Sequence, residues 1–395
     1  MKKKILFIMP SMFIGGAERS LLGLLDSIDY TKYDISLFLY RREGEFLPLI
    51  PKEVKILPAI PQYATFDVPI VGLLKSRYWK FGMARIIGKI RLKGMKKKQP
   101  DLGIWASMQV ISQSLLPLLP PIPGEYDLGI CYLGIPDVLI EKVNAKKKIT
   151  WNHTDYSILG PDRDYDKKLY GKLDYIVSVS EKCLEQFLKS YSELDTKAIF
   201  IENVLSKRLI EQQSSEEVGG FIDDGTFKLL SIGRFSDAKN FDNVPDICKR
   251  ILSEGINIKW YLIGYGGDEQ LIRQRITEAG MEDHVIILGK KENPYPYIKA
   301  CDLYVQPSRY EGKCVTVREA QLLGKPVVIT RYATSASQLE DGIDGVIVPM
   351  DNEGCAEGIV GFLKNEELQN KMIENMRTRD YSNASEVLKI YSLLE

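Results

Sequence analysis

The sequence predicts two α/β domains, each built on a doubly wound sheet of mostly parallel strands. The length of 395 residues suits about two domains of ordinary size. Short apolar segments alternate with helical patterns, as in the strand–helix units that build parallel sheets. The alternation stops at a polar stretch that contains SSEEVGG and then restarts. We therefore expect a first domain over residues 1–205, a linker over 206–224, a second domain over 225–378 and a last helix over 379–395 that returns to pack on the first domain.

The first domain opens on Ile5–Met9, a continuous apolar run that is typical of a parallel strand buried on both faces. The loop PSMFIGG follows, and a helix is predicted from about Ala17. Further strands of this domain are predicted at Asp34–Tyr40, Val54–Leu57, Asp127–Tyr132, Lys147–Thr150, Tyr175–Val179 and Lys197–Ile201. The strands predicted for the second domain are Phe227–Ile232, Ile258–Ile263, Val285–Leu288, Leu303–Gln306 and Pro326–Ile329, and the last helices are Cys355–Arg377 and Glu386–Leu394.

The composition excludes several classes of protein. Lys+Arg and Asp+Glu both total 53, so the overall charge gives no reason to expect nucleic-acid binding. The six cysteines are scattered without a CxxC pair, and we interpret them as reduced thiols of a cytosolic protein that holds no metal. No run of eighteen apolar residues is present. The basic and apolar start resembles a signal peptide, but Pro10 interrupts it and a charged helix follows, so a first strand is the better interpretation.

Between Val71 and Lys98 the chain changes character, because this window contains ten basic residues and no acidic one. A basic amphipathic helix with aromatic residues is typical of a segment that lies on an anionic membrane surface, and we predict that role here. The alternatives are an ordinary solvated helix that packs on its own domain through its apolar side and, more weakly, RNA binding. The predicted apolar face consists of Trp79, Met83, Ile86, Ile87 and Ile90.

Two loops of the first domain carry candidate binding residues. Gly15 and Gly16 precede a helix, where small residues let a ligand approach the backbone and the helix N-terminus favours an anion. A tight turn without a ligand is the alternative, since the loop does not read GxGxxG. His153 follows the strand Lys147–Thr150, in a carboxyl-end loop of the kind that carries functional side chains. The alternative is that His153 is a structural residue whose hydrogen bonds are all made within the protein.

The second domain places two cations in the loop GRFSDAKNF after its first strand. Arg234 and Lys239 are five residues apart, and Gly233 beside them allows a ligand to approach. Two such cations could hold both phosphates of a diphosphate, with arginine acting as a fork and lysine as a point charge. The alternative is that both are solvated surface residues.

Two further loops of this domain give weaker signals. Gly264 in GYGGDE follows a strand and precedes a helix, but such a glycine often marks only a tight turn. Tyr295 and Tyr297 lie in the loop after the strand Val285–Leu288, and either ring could stack on a base. We predict that Gly264 and Tyr295 contact a ligand.

Two carboxylates, Glu311 and Glu319, stand between the strand Leu303–Gln306 and the strand that begins at Pro326. Eight residues is close to a whole number of helical turns, so a helix that begins near Glu311 would hold both acids on one face. Carboxylates at the carboxyl end of a sheet suit a polyol ligand, because they accept hydrogen bonds from neighbouring hydroxyl groups. The alternative is that Glu311 caps the helix and Glu319 is solvated.

Four segments, IGGAERSLL, SIGRFSDAKN, GYGGDE and EGKCVTVREAQLLGKPVV, together resemble the retaining glycosyltransferases of family 4, of the kind used in bacterial surface polysaccharide assembly. The resemblance covers nearly the whole chain and is weakest between Ala64 and Gly124. It implies the GT-B architecture, in which two Rossmann-like domains face each other across a cleft. The first domain of this fold would bind the acceptor and the second would bind the nucleotide-sugar donor.

The resemblance also implies roles for the candidate residues. Arg234 and Lys239 would neutralise the donor diphosphate, Glu311 would bond the hydroxyls of the donor sugar, and Glu319 would hold the ribose hydroxyls. The residues implied to be catalytic are His153, Arg234, Lys239 and Glu311. The residues implied to bind the donor are Gly15, Gly16, Gly233, Arg234, Lys239, Gly264, Tyr295, Glu311, Gly312, Lys313, Cys314, Val315 and Glu319.

In this family the acceptor hydroxyl is thought to attack the sugar on the face that the nucleotide leaves, with the departing phosphate as the base. No enzymic nucleophile, metal or other cofactor would be required. Gly15 and Gly16 would bring the backbone close to the phosphates and the acceptor, and His153 would contact the transferred sugar. The chain departs from the family at Lys313-Cys314, where Phe-Gly is usual. This difference leaves the donor sugar open.

The sequence therefore predicts a cytosolic enzyme, peripherally bound to the inner face of the cell membrane through residues 71–98. It would move a hexose-type sugar from a nucleotide-diphosphate-sugar donor to a hydroxyl of a lipid-linked saccharide in capsule or O-antigen-type synthesis. The alternatives are a nucleotide-sugar epimerase or phosphorylase of the same fold, or a non-catalytic nucleotide-binding partner subunit. The sugar, the base, the acceptor and the oligomeric state stay open.

Overall fold

The computed structural model describes residues 2–153, 156, 159–221, 224–311 and 314–394. These residues form two compact units, each with one parallel sheet. Unit 1 consists of Met1–Ser206 with Asn383–Glu395, and unit 2 consists of Lys207–Ser382. The prediction of two α/β domains with parallel sheets is confirmed.

The sheet of unit 1 has seven strands: β1 (Lys3–Met9), β2 (Tyr33–Leu39), β3 (Lys55–Ile56), β4 (Ile122–Cys131), β5 (Val143–Asn152), β6 (Tyr175–Ser178) and β7 (Ala198–Phe200). Their order is β3-β2-β1-β4-β5-β6-β7, and every pairing is parallel. The helices of this unit are α1 (Gly16–Asp26), α2 (Ile70–Leu74), α3 (Trp79–Lys98), α4 (Ile104–Leu115), α5 (Asp137–Lys142), α6 (Arg163–Gly171) and α7 (Glu181–Ser190).

The sheet of unit 2 has six strands: β8 (Phe227–Ile232), β9 (Ile258–Ile263), β10 (Val285–Gly289), β11 (Leu303–Gln306), β12 (Val327–Thr330) and β13 (Val346–Val348). Their order is β10-β9-β8-β11-β12-β13, again with parallel pairing throughout. Its helices are α8 (Lys207–Gln213), α9 (Val244–Ser253), α10 (Glu269–Ala279), α11 (Tyr295–Ala300), α12 (Val315–Leu322), α13 (Ser335–Gln338), α14 (Asn352–Leu363) and α15 (Glu366–Thr378).

Each sheet has one strand at which the order of connection reverses. In unit 1 this strand is β1, which lies between β2 and β4, and in unit 2 it is β8, which lies between β9 and β11. In doubly wound sheets, ligands bind outside the carboxyl ends of the strands at such a reversal point. The fold therefore defines one candidate ligand position in each unit.

The C-terminal helix α16 (Val387–Ser392) belongs to unit 1. The ring of Tyr391 stacks on Tyr33 with centroids 4.1 Å apart, and its hydroxyl accepts a hydrogen bond of 2.8 Å from the backbone N–H of Asp29. The backbone N–H of Glu202 donates to the carboxylate of Glu386 at 2.8 Å. The predicted return of the last helix to the first domain is therefore observed.

Several elements differ from the sequence prediction. Glu311 and Glu319 do not lie on one helix, because α12 begins only at Val315. The predicted Cys355–Arg377 helix is two helices, since Asn365 accepts the Leu368 N–H and starts α15 separately. The strand β13 was not predicted, and the expected linker contains helix α8.

The basic window forms two helices, α2 and α3, rather than one. Helix α3 buries Phe81, Gly82 and Gly88. Gly88 lies where an added Cβ would be 2.7 Å from the Ser114 hydroxyl of α4, so this glycine allows the two helices to pack closely. Throughout the described ranges, no helix is both long enough and apolar enough to cross a membrane.

Candidate functional site

The reversal point of unit 2 is built by the loops that follow β8 and β11. Arg309, just after β11, donates to both carboxylate oxygens of Asp242, at 2.9 and 2.8 Å. Its backbone N–H also donates to the carbonyl of Ala238 at 2.9 Å. A two-pronged arginine–carboxylate contact fixes orientation as well as distance. The two loops are therefore held side by side.

The two loops bring Lys239 and Glu311 into contact. The Lys239 Nζ lies 2.5 Å from the Glu311 Oε1, and their side chains are only 18% and 12% exposed. The hydroxyl of Ser308 donates to the same carboxylate oxygen at 2.6 Å, and the hydroxyl of Thr334 donates to the Glu311 carbonyl at 2.9 Å. Two residues that the sequence analysis placed in one site are thus neighbours in space.

The charge of Lys239 is maintained by its surroundings. Burial acts to lower the pKa of this ammonium group, but Cys314 and Glu311 outweigh burial, so the pKa is raised. Gly233 lies against the aliphatic part of the lysine, and a Cβ at this position would be 2.9 Å from its Cε. Gly233 therefore leaves room for the lysine to lie along the backbone.

Arg234 is exposed, beside this pair in the chain. None of the residues that the structure describes forms a hydrogen bond or ion pair with its guanidinium. Its five N–H donors remain available for an external anion. Arg234 and Lys239 therefore differ, because among the described residues Lys239 has a side-chain partner and Arg234 has none.

The glycine-rich loop after β9 supports the loop after β8. Gly264 has a φ of +156°, and a Cβ there would be 1.9 Å from the carbonyl oxygen of Gly233. At Gly266 an added Cβ would be 2.2 Å from the carbonyl oxygen of Phe235. These glycines let the two loops pack backbone to backbone, so Gly264 contacts the Gly233 turn.

Glu319 lies on α12 and is 3% exposed. The hydroxyl of Tyr295, at the start of α11, donates to its carboxylate at 2.9 Å. Tyr295 is only 1% exposed, which leaves its ring no surface on which a base could stack: helix α11 buries the ring, and its hydroxyl bonds the buried Glu319. Tyr295 orients a carboxylate instead. The alternative of a solvated Glu319 is also excluded by its burial.

Gln338 holds the backbone of Cys314, the N-cap of α12. The backbone N–H of Cys314 donates to the Gln338 side-chain oxygen at 2.7 Å, and the Gln338 amide donates back to the Cys314 carbonyl at 3.2 Å. The Cys314 N–H is thus already bonded within the protein. Val315, the first residue of α12, is 43% exposed. Gly312 and Lys313 lie outside the described residues.

In unit 1, Gly15 and Gly16 begin α1 at the carboxyl end of β1. Gly15 is the N-cap in an extended conformation, without a side-chain capping bond. A Cβ on Gly15 would be 2.2 Å from the Glu18 Oε2, whereas a Cβ on Gly16 would meet no atom within 4 Å. Burial raises the pKa of Glu18 and its own backbone N–H opposes this rise. The helix N-terminus predicted to face an anion therefore has a carboxylate of its own.

His153 follows β5 and packs on the ring of Tyr132, with ring centroids 4.8 Å apart. Its Nε2 is 2.9 Å from the carbonyl oxygen of Tyr132. Because a carbonyl can only accept, Nε2 carries the proton and Nδ1 keeps a lone pair. Burial lowers the pKa of His153 to about 4, so the ring is neutral near pH 7. The neutral ring therefore keeps one hydrogen-bond acceptor, its Nδ1.

Within the described ranges, no three His, Cys, Asp or Glu side chains are close enough to hold a metal ion together. All six cysteines are free thiols. The contacts around Glu311 and Glu319 involve hydroxyl and ammonium groups rather than a cluster of acids. Such an arrangement can bind anionic and hydroxyl groups of a ligand.

The match to a family model falls on this part of the chain. Residues 213–379 match the model described as glycosyl transferases group 1. This range contains both loops at the unit 2 reversal point and almost all of that unit's sheet and helices. The resemblance to glycosyltransferases that the motifs indicate is thereby confirmed.

The curated relatives are distant, and each aligns with only part of this chain. The chain is 26% identical over 213 residues to the N-acetylgalactosamine-N,N'-diacetylbacillosaminyl-diphospho-undecaprenol 4-alpha-N-acetylgalactosaminyltransferase of Campylobacter jejuni, covering 53% of this chain and 56% of that one. It is also 26% identical over 260 residues to the N-acetyl-alpha-D-glucosaminyl L-malate synthase of Bacillus anthracis, covering 64% and 67%. The match thus spans little more than half of the Campylobacter relative.

Solved structures match the fold over the full length. The structure of Anabaena Alr3699/HepE in complex with UDP and glucose covers 99% of this chain and 99% of its own, with a TM-score of 0.60 and 17% identity. At this identity the similarity defines the fold alone. The chain has the GT-B fold, with two Rossmann-like units, as the sequence predicts.

The residues that position the site are not identifiable from the sequence alone. Ser308 and Arg309 stand beside Glu311 in PSRYEG, but a short loop gives no signal of which carboxylate each residue contacts. Gln338 is 24 residues from Cys314, and Asp242 is 67 residues from Arg309. Only the folded sheet brings these pairs together.

Proposed function

We propose that this protein is a retaining glycosyltransferase that moves a hexose-type sugar from a nucleotide-diphosphate-sugar donor to a hydroxyl of a lipid-linked saccharide. The observation that carries the proposal is the contact of Lys239 with Glu311 at the reversal point of the unit 2 sheet. It lies within the segment that matches glycosyl transferases group 1. A cation and a sugar-binding carboxylate at one sheet edge suit a diphosphate joined to a sugar.

The donor is proposed to take over the contacts of this ion pair. Arg234, whose guanidinium has no partner among the described residues, would meet the diphosphate, and Lys239 would turn from Glu311 to a phosphate oxygen. Glu311 would then accept hydrogen bonds from the sugar hydroxyls, still held by Ser308 and Thr334. Glu319, oriented by Tyr295, would accept from the ribose hydroxyls. Preorganised groups of this kind stabilise the charge that develops on the leaving group.

In the proposed reaction, the bond between the sugar C1 and the diphosphate oxygen breaks, and a bond from C1 to the acceptor oxygen forms on the same face. The acceptor hydroxyl loses its proton to the departing diphosphate. Arg234 and Lys239 would balance the negative charge of that diphosphate. This chain's residues therefore position the reactants and stabilise charge, without forming a covalent intermediate.

His153 is proposed to contact the transferred sugar. Its Nε2–H is bonded to the Tyr132 carbonyl, so Nδ1 can accept a hydrogen bond from a sugar hydroxyl. Burial keeps the ring neutral. A neutral histidine adds no positive charge near the sugar, which leaves the charge balance of the reaction to Arg234 and Lys239.

The acceptor is proposed to be attached to a lipid, in a surface polysaccharide of the capsule or O-antigen type. The Campylobacter relative is named for a diphospho-undecaprenol-linked substrate. We extend this substrate class to the present chain because α3 exposes apolar side chains. Trp79, Met83, Ile87 and Ile90 are 51%, 43%, 62% and 68% exposed. They would lie at the inner face of the cell membrane.

The exposed face of α3 has the charge that an anionic membrane requires. Residues 71–98 contain ten basic side chains and no acid, and the apolar face is opposite the side that packs into unit 1. Apolar burial and attraction to anionic lipid act together in such helices. We therefore assign this face, formed by Trp79, Met83, Ile87 and Ile90, to an anionic membrane surface and call it the α3 face.

Vesicle co-sedimentation tests the α3 face. Wild-type protein should bind vesicles that contain phosphatidylglycerol and should bind pure phosphatidylcholine vesicles at least about tenfold more weakly. The double variant Ile87→Glu/Ile90→Glu should lose binding to the anionic vesicles. The control is Leu271→Glu, at a residue of unit 2 that is 39% exposed. Equal binding by both variants and wild type would remove the membrane part of the proposal.

A thermal-shift screen with nucleoside diphosphates and nucleotide sugars tests the donor site. A ligand that binds only the native state raises the melting temperature, and UDP is the first probe. Release of the nucleoside diphosphate that requires an added acceptor would separate a transferase from an epimerase. Release without any acceptor, or cellular glycan assembly that persists in Glu311→Ala and Arg234→Ala, would contradict the proposed transferase.

A further inference from the structure

The reversal point of the unit 1 sheet contains a cavity of about 180 Å³. Its walls come from the loops after β1, β2 and β4 and from one side of α4. This position corresponds to the place in a doubly wound sheet where ligands bind. The side chains that form most of its surface are those of Pro10, Tyr40, Phe66, Met108, Ile111 and Ile135.

The aromatic wall of the cavity is closely packed. The rings of Tyr40 and Phe66 stack with centroids 5.2 Å apart, and Tyr63 packs on Tyr40 at 5.3 Å. Burial is the largest cause that raises the pKa of Tyr40 well above its ordinary value, so this hydroxyl stays protonated. The wall therefore offers apolar ring surface and no charge.

Two of the polar side chains that reach the cavity, Asp67 and Ser112, already have partners. Asp67 forms an ion pair with Arg41 at 3.1 Å. Ser112 donates its hydroxyl to the carboxylate of Asp137 at 2.8 Å. A polar ligand would have to replace these contacts, whereas an apolar ligand leaves them in place. The cavity consequently favours hydrocarbon over sugar.

The cavity opens onto an apolar strip along α4. Ile104 is 70% exposed and Met108 is 40% exposed, and Ile111 follows one turn later in the cavity wall. Residues spaced by three and four lie on one face of a helix. The strip thus leads from the surface to the cavity, and α4 places no charged side chain along it.

We infer that this cavity, named the β1 cavity, binds hydrocarbon of the lipid that carries the acceptor saccharide. Its size suits about one five-carbon isoprenoid unit, since an apolar cavity of about 150 Å³ holds a benzene ring. The inference rests on the proposed function and adds the location and chemistry of an acceptor subsite. Pro10, Tyr40 and Ile135 line the cavity, and Met108, which is 40% exposed, lies where the cavity opens to solvent (its mouth).

Farnesyl phosphate, at concentrations where it stays monomeric, is the probe for the β1 cavity. Methyl NMR spectra of isoleucine- and methionine-labelled full-length protein report its position. The methyl signals of Met108, Ile111 and Ile135 should shift and saturate with added farnesyl phosphate, and inorganic phosphate should leave them unchanged. Saturating shifts that appear only at Ile87 and Ile90 would overturn the inference, because the probe would then adsorb on the α3 face.

A matched pair of variants separates the cavity from the α3 face. Met108→Glu and Met83→Glu are the same substitution at side chains that are 40% and 43% exposed, so neither introduces a buried charge into the core. Met108→Glu should weaken farnesyl phosphate binding by at least about tenfold, because a carboxylate at the mouth opposes hydrocarbon entry. Met83→Glu should leave that binding unchanged and weaken vesicle binding instead. Equal effects of the two variants on farnesyl phosphate would contradict the inference.

The same spectra keep this inference distinct from the proposed donor site. UDP should shift methyl signals of unit 2 whether or not farnesyl phosphate binds. UDP binding without any effect of farnesyl phosphate on Ile111 or Ile135 would reject the β1 cavity alone. Farnesyl phosphate binding without any nucleoside diphosphate binding would reject the proposed transferase and leave the cavity as a lipid site.

Discussion

At the carboxyl edge of unit 2, where β8 lies between β9 and β11, the loops carry Lys239 and Glu311 in contact and Arg234 beside them. At the corresponding edge of unit 1, where β1 lies between β2 and β4, the walls are the aromatic and aliphatic groups of the β1 cavity. Two sheets with the same pattern of connection thus present opposite chemistry. One suits a charged and hydroxylated ligand, and the other suits hydrocarbon.

The difference comes from the loops rather than from the sheets. After β8, Gly233 lets Lys239 lie along the backbone, and Arg309 fixes that turn to the loop after β11. After β2, Tyr40 turns inward against Phe66. The same fold therefore supports two kinds of binding site, because the strands set positions and the loops set chemistry.

The largest effect is expected when the unit 2 site loses its buried cation. Lys239→Ala should lower the rate of sugar transfer by about 10²–10³-fold, the range found when one group that stabilises transition-state charge is removed. The rate constant under saturating donor is the measurement. The control is Lys259→Ala, which removes a lysine that pairs with Asp224 at the amino end of β9. An equal loss in both variants would mean that Lys239 is only structural.

A smaller effect is expected from Glu311→Gln, which should slow sugar transfer and at the same time strengthen UDP binding. Transfer should be slower by roughly ten- to a hundredfold, because the sugar hydroxyls lose a charged acceptor. UDP should bind about three- to tenfold more tightly, since Lys239 no longer has Glu311 as its partner and is available to phosphate. Isothermal titration with UDP measures the change in binding. Weaker UDP binding would show that the carboxylate does not compete with phosphate for Lys239.

Removal of one hydroxyl group tests the role of Tyr295. Tyr295→Phe should weaken UDP binding by about tenfold, because Glu319 loses the hydrogen bond that orients it. The variant should also discriminate less between UDP and 2′-deoxy-UDP. Tyr297→Phe is the matched control, on the same helix and at a tyrosine that is also buried. If both variants retain wild-type discrimination, Glu319 does not hold the ribose.

The smallest effect is expected at His153 and is visible only in acid. Its pKa is about 4 in the folded protein and about 6.5 in an unfolded chain, so between these values the unfolded state takes up a proton that the native state does not. The free energy of unfolding therefore falls as pH drops through this window, by no more than about 3 kcal/mol from this group. His153→Gln should lose that part of the acid destabilisation.

Urea unfolding of wild type and His153→Gln at pH 7 and pH 4.5 measures this change. Asp137 and Asp166 act in the opposite sense, because burial raises the pKa of each to about 6 and the native state binds their protons first. Both proteins share these two acids, so their contribution cancels in the comparison. An identical pH dependence in the two proteins would mean that His153 titrates normally.

The sequence was sufficient for most strands of the two sheets and for the placement of Lys239 and Glu311 in loops that follow strands of unit 2, because buried parallel strands are continuous apolar runs and these loops come directly after them. Strand β13 was missed since only Val346–Val348 is extended before Pro349. The inward turn of Tyr295 and the pairing of Lys239 with Glu311, 72 residues away, depend on tertiary packing. Local sequence patterns do not predict such long-range contacts.

The α3 helix illustrates the same limit. Its sequence contains two apolar groups, and periodicity alone did not distinguish the side that faces unit 1 from the side that faces solvent. Phe81, Gly82 and Gly88 are buried, while Trp79 and Ile90 stay exposed. Close helix packing through glycine decided which face was buried, and this depends on the neighbouring helices α2 and α4.

The most direct test of the contrast between the two sheet edges is a thermal-shift titration with UDP on three proteins: wild type, Lys239→Ala and Met108→Glu. The melting temperature of the wild type and of Met108→Glu should rise with UDP by the same amount, because the β1 cavity takes no part in donor binding. The rise should be lost in Lys239→Ala. An equal rise in all three proteins, or no rise in wild type with UDP or any other nucleoside diphosphate, would contradict a donor site at the edge of unit 2.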